Sequence, residues 1–289
     1  MEQTQTEKEV AAFLIVAFAS AWGLEIIGAV TGVALPVTSI VMFCPLLGAL
    51  VSSRLMEKAP TGVAWKPRVR KEWPRYLVAL IAPTLLSLAG AALFFLFVPG
   101  AFDPNMGYVT QAFAKAGVTG VDPTAYVTQS LVTSLVWAFF NMLFAVGEEA
   151  GWRGYMMPRL VKLLGSTKAL VLGGLVWGAW HWPLIVIGGY EYGTGYAGAP
   201  FVGMAAMCLF TFALGTSLWW LYKRTGSIWP SALAHGAVNA IAVIGMCWTD
   251  GTMTSWLLGP TLAGLISVLP ALVLAIVAAR SLSRSRTQE

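Results

Sequence analysis

Gly147 to Leu160 reads GEEAGWRGYMMPRL, and it sets two adjacent carboxylates and an arginine inside a long apolar sequence. An ionised group in hydrocarbon costs about 2.5 kcal/mol or more, so three together require a reason. If the stretch is helical, Glu149 and Arg153 stand four residues apart on one face and pair. Glu148 then points elsewhere with a free carboxylate, which makes it the first candidate for a catalytic group. Gly147 and Gly151 form a small-xxx-small pair that would let another helix approach this acidic pair closely.

The 289 residues around this stretch are 57% hydrophobic and 11% charged, with 13 Trp and a mean hydropathy of +0.73. That is too apolar for a soluble domain and implies a polytopic membrane protein. The formal charge of +5 does not argue for nucleic acid, because basic residues in a membrane chain mark its cytoplasmic loops. Cys44, Cys208 and Cys247 lie in apolar spans without close spacing, so neither a disulfide framework nor a four-cysteine zinc site is expected. The N-terminal MEQTQTEKEV carries more acid than base, and the run after it is too long and lacks a small-residue cleavage site. It is expected to be a retained span rather than a signal peptide.

With about 20 apolar residues needed to cross a bilayer, eight spans are expected. They fall near 10–31, 36–56, 74–98, 126–147, 169–187, 200–222, 228–247 and 257–279. Eight spans put all but Lys115 of the 18 Lys and Arg on one side, which predicts both termini in the cytoplasm. The expected class is thus an all-α membrane helix bundle in one domain, 1–289. Its catalytic core would cover about 126–247, with a basic cytoplasmic tail at 280–289, and the plasma membrane is its expected location.

The two histidines of the chain both fall in predicted spans, His181 in VWGAWHWPL and His235 in SALAHGAVNA. Asn239 follows His235 by one turn and Trp177 precedes His181 by one turn. Measured from the nearest cytoplasmic basic residues at about 1.5 Å per residue, Glu148, His181 and His235 share one depth. Such a layer suits water activation. A glutamate in an apolar cavity is a base toward water, and a neutral histidine holds that water or protonates the leaving amine. His235 or Asn239 would donate to the oxyanion. Glu148, His181 and His235 could instead bind zinc with an open fourth position. No HExxH motif decides between the two, and the metal-free reading is preferred because Asn239 suits an oxyanion donor better than a zinc ligand. No serine or cysteine sits in a nucleophile elbow. Glu25 in the first span would line a polar cavity, relay protons or make an interhelical hydrogen bond, and Asn141 is expected to pack.

EEAGWR (148–153), WGAWH (177–181) and HGAVN (235–239) correspond to EExxxR, FxxxH and HxxxN. In these motifs the chain resembles the CAAX protease and bacteriocin-processing (CPBP, or ABI) family of intramembrane endopeptidases, which includes the type II CAAX prenyl endopeptidases. The resemblance implies that Glu148 activates water, that His181, His235 and Asn239 complete the site, and that Glu149 and Arg153 support it. Trp177 departs from the usual Phe and would keep a wall on the site while altering its shape. The implied partners are membrane lipid and a membrane-associated, in one branch prenylated, peptide or protein. Two other readings are a non-catalytic immunity-like partner and a proton-coupled transporter using Glu25, Glu148 and the histidines. The intact motifs weigh against the first, and the lack of repeated halves or paired broken spans weighs against the second. Nothing in the sequence bears on oligomeric state.

Overall fold

The computed structural model describes residues 2–32, 39–57 and 61–284. Among them the chain is all-helical, with one isolated antiparallel bridge, Gly193 to Ser255, in place of any strand. Seven helical stretches are long and apolar enough to cross a membrane: Glu2–Thr31, Ser39–Met56, Val69–Phe97, Pro123–Leu164, Ser166–Gly188, Phe201–Thr225 and Trp229–Trp248. A shorter apolar helix, Leu269–Ser283, follows. The protein is therefore an integral, multi-pass membrane helix bundle.

In chain order the helices are α1 (Glu2–Thr31), α2 (Cys44–Ser52), α3 (Val69–Phe97), α4 (Gly107–Lys115), α5 (Pro123–Glu149), α6 (Met157–Leu164), α7 (Ser166–Trp180), α8 (Trp182–Gly188), α9 (Phe201–Thr225), α10 (Trp229–Ile241) and α11 (Leu269–Arg284). Expected positions 36–38, 58–60 and 285–289 lie outside the described residues. The eighth expected span, 257–279, is corrected: helix begins only at Leu269, and 257–268 is a buried run of turns. Gly259, at φ 149°, adopts a backbone conformation that a side chain disfavours, and Pro260 offers no N–H, so a helix cannot run through them. The turns stay buried because their polar groups pair locally, with Leu265 N–H donating to Leu257 O (2.8 Å) and Ile266 N–H to Leu258 O (3.0 Å).

The polarity of the bundle is that of a protein dissolved in lipid. Ile15, Leu85, Trp137, Phe140 and Val277 are exposed, whereas Glu148, Glu149, Arg153 and His235 are buried. The helix ends gather on two faces. One face joins Lys162 to Glu2, Gln5 to the Met56 carbonyl, Ile228 to Ala64 and Arg224 to Ser281, so the starts of α1 and α10 share a side with the end of α11. The other joins the 103–108 turn to 248–250 and the 189–196 loop to 254–256.

Close helix approach makes this packing possible. A Cβ at Gly151 would run into Pro45, and one at Gly147 would lie 2.6 Å from the Met42 carbonyl, so the start of α2 and the backbone just before it rest directly on the acidic segment. Gly236 does the same for α10 against α5, where an added Cβ would meet the Ala138 carbonyl at 2.5 Å. Between Glu149 and Met157 the chain widens into a π-helical segment, Ala150–Met156. Such widenings re-aim the side chains that follow them and gather at functional sites.

Candidate active site

Glu148 and Glu149, adjacent at the end of α5, occupy two different electrostatic settings. Glu149 is fully buried, and its Oε1 accepts from Arg153 Nη1 (2.9 Å) and from His235 Nδ1 (2.9 Å). The pairing with Arg153 is the one expected from the four-residue spacing. The bond to His235 was not expected, because a contact between α5 and α10 has no signature in local spacing. Since a carboxylate only accepts, His235 carries its proton on Nδ1, and in the neutral ring Nε2 is a lone pair. Neutralised by Arg153, Glu149 acts as a buried orienting group for His235.

Glu148 is held by neutral donors. Its Oε2 accepts from Trp177 Nε1 (2.7 Å) and from Trp152 Nε1 (3.3 Å), and no protein group bonds Oε1 among the described residues. Trp177 is thus more than the wall expected of it. Besides the indole N–H on Glu148, its ring lies under the Arg153 guanidinium at 3.9 Å and meets the His235 ring edge-on at 5.3 Å. Its carbonyl also accepts from His181 Nδ1 (2.8 Å), which leaves His181 Nε2 as a lone pair in the neutral ring. A phenylalanine could provide the ring and the carbonyl but not the bond to Glu148.

His181 sits at the break between α7 and α8, where Pro183 ends the run of helical hydrogen bonds. Its ring stands perpendicular to Trp180 at 5.0 Å and lies parallel to Tyr190 at 6.1 Å.

A cavity of about 550 Å³ brings these groups together. Glu148, His181, His235 and Asn239 all line it, with Trp177 on one side and Asn141 on another. Asn141 also donates to the Gly236 carbonyl (3.4 Å), so it packs as expected and reaches the cavity too. Arg153 and Glu149 do not line it and stand behind it. Glu25 is buried, but neither carboxylate oxygen has a hydrogen-bond partner among the described residues, and it is absent from the cavity wall. Neither the interhelical hydrogen bond nor the cavity position expected for it is found.

Two titratable lining residues escaped the sequence reading, Tyr190 and Glu191. They belong to the loop after α8. One signal was present: Glu191 is the single charged residue between Lys168 and Lys223. Among the described residues no three His, Cys, Asp or Glu side chains converge as a cation site. Both imidazole Nδ1 atoms and one Glu148 oxygen are already engaged by protein groups.

Residues 129–241 match the family model described as type II CAAX prenyl endopeptidase Rce1-like. The chain is also 42% identical over 55 residues to the CAAX prenyl protease 2 of Methanococcus maripaludis, an alignment covering 19% of this chain and 20% of that protein. The chain therefore matches a fifth of the length of that curated relative. All three motifs, from Glu148 to Asn239, fall inside 129–241, the part of the chain that is similar to the Rce1-like model.

Proposed function

We propose that the protein is an intramembrane endopeptidase whose water-activating residue is Glu148. The observation that carries this reading is the convergence of Glu148, His181, His235 and Asn239 on one cavity inside the bundle. A water between Glu148 and the Nε2 of His181 gives a proton to Glu148 as its oxygen adds to the substrate carbonyl carbon. The Asn239 carboxamide donates to the resulting oxyanion, and His235, fixed by Glu149, presents Nε2 to the same water network. The proton then passes to the leaving nitrogen, the C–N bond breaks, and acid and amine depart.

Asn239 is preferred to His235 as oxyanion donor because Glu149 holds the Nδ1 proton of His235, leaving Nε2 an acceptor in the neutral ring. The metal-free route is preferred to zinc because Asn239 suits an oxyanion donor better than a metal ligand. Substrates are membrane-associated peptides or proteins. Prenylated C-terminal peptides are the first to try, since the similar archaeal protein is named for that group. The basic face that includes Lys162 and Arg224 is read as cytoplasmic.

The test is cleavage of such peptides by the protein in liposomes, with Glu148→Ala and His235→Ala variants. Both are expected to lose activity; processing at the unmodified rate by both would remove the proposed site. Chelation is expected to leave activity intact. Inhibition by chelator that zinc reverses would replace the metal-free mechanism.

A further inference from the structure

We propose that Glu191 is a substrate-binding carboxylate of the same cavity, pairing with an ammonium or guanidinium group of the bound peptide. The proposal rests on the endopeptidase reading and names a feature of its substrate.

Four observations carry it. First, Glu191 lines the cavity that holds Glu148, His181, His235 and Asn239, and among the described residues no Lys or Arg lines that cavity. With two carboxylates and no Lys or Arg among its described lining residues, the cavity attracts a positive group. Second, Glu191 has no ion-pair partner among the described residues, so its charge is available to a ligand. Burial pushes its carboxyl up to about 7, as expected of an acid lacking a countercharge, and a bound cation would pull it back down.

Third, its backbone is held in the left-handed region at φ 63°, a conformation a glutamate adopts at a cost in energy. Flanking contacts impose that conformation. Gly193 N–H donates to Gly189 O (2.7 Å) and Trp256 N–H to Tyr192 O (3.0 Å), and the Tyr192 ring is fully buried with its hydroxyl donating to Ala263 O (3.3 Å). Fourth, Tyr190 stacks flat on His181, with an angle of 5° between the rings, which ties the Glu191 turn to the catalytic histidine. A loop anchored in this way fixes where the carboxylate stands relative to the reacting carbonyl.

The experiment separates binding from cleavage. Short fluorescent lipid-anchored peptides, with one lysine or one norleucine moved along the sequence, are titrated against the full-length Glu148→Gln protein in liposomes. This protein binds without turnover. At one position lysine is expected to bind roughly 10-fold or more tighter than norleucine, as for one buried charge-assisted pair. Adding Glu191→Gln should collapse that preference, and Glu191→Asp should restore part of it, with thermal unfolding of each variant checked against the parent. No lysine preference anywhere, no binding of any peptide, or a preference that survives Glu191→Gln overturns the proposal. Cleavage by the unmodified protein is measured beside it. Glu191-dependent binding without any cleavage would sink the endopeptidase reading alone, and cleavage without charge preference would sink the role of Glu191 alone.

Discussion

The cavity has two walls of different construction. One is helical: Glu148 on α5, Trp177 on α7 with His181 just past its end, and His235 and Asn239 on α10, with Glu148, His181 and His235 held by hydrogen bonds. The other is irregular, the turn carrying Tyr190 and Glu191, pinned by the Gly193 to Ser255 bridge and by the buried Tyr192. The helical wall holds the groups that the proposed hydrolysis needs. The irregular wall holds a charge that hydrolysis does not need but that a substrate would feel. In this division chemistry sits on rigid elements and selection on a loop.

The sharpest way to break that contrast is within the helical wall. Glu148→Gln should lower kcat/KM by about 10²–10⁴-fold with little change in thermal stability, because it removes the base and keeps the shape. A comparable loss from Glu191→Gln on a neutral peptide would erase the division. Asn239→Ala should come next, lowering kcat by about 10²–10³-fold, as for loss of one oxyanion donor, with KM little changed.

Glu149→Ala tests the supporting layer. It leaves Arg153 buried and unpaired, and the expected loss of stability is about 3–5 kcal/mol, read by denaturant or thermal unfolding in detergent. Trp177→Phe is gentler. It should fold normally and lower activity by about 10-fold, since one hydrogen bond to the Glu148 carboxylate disappears while the ring under Arg153 remains. Full activity in this variant would return Trp177 to the status of a wall.

The smallest effect belongs to the irregular wall and is read by pH. The Glu191 carboxyl is raised from 4.5 to about 7, so the folded state binds its proton more readily than the unfolded state. Its contribution to stability is therefore full below about 4.5 and is lost as pH rises through about 7. The groups that share its cavity are Tyr190, His181, Glu148 and His235, none of them a fixed cation. Thermal midpoints of unmodified and Glu191→Gln protein should accordingly diverge in favour of the variant between pH 5 and 8. Parallel curves would mean that Glu191 is already well solvated.

Glu149 and Glu25 show how far local sequence reaches. Both were flagged as acids in apolar spans, and the four-residue spacing to Arg153 gave Glu149 its first partner. Its second partner, His235, lies 86 residues away and depends on how α10 crosses α5, which Gly236 permits by its missing Cβ. Glu25 has no such neighbour in its own turn, and its buried carboxylate finds no hydrogen-bond partner among the described residues. The run 257–268 misled for a related reason: composition measures apolarity, which buried turns and spanning helix share.

The sequence alone determined the membrane class, the order of the spans and the three motifs, because hydropathy and helical period are local properties. It also selected Glu148 from a charged stretch by spacing. Only the tertiary structure decided which distant donor serves which carboxylate: the Trp177 indole for Glu148, and His235 for Glu149. It also decided that Tyr190 and Glu191 close the same cavity. Those pairings join residues on different helices and loops, and they are fixed by the approach distances and angles of packed elements, which no stretch of sequence contains.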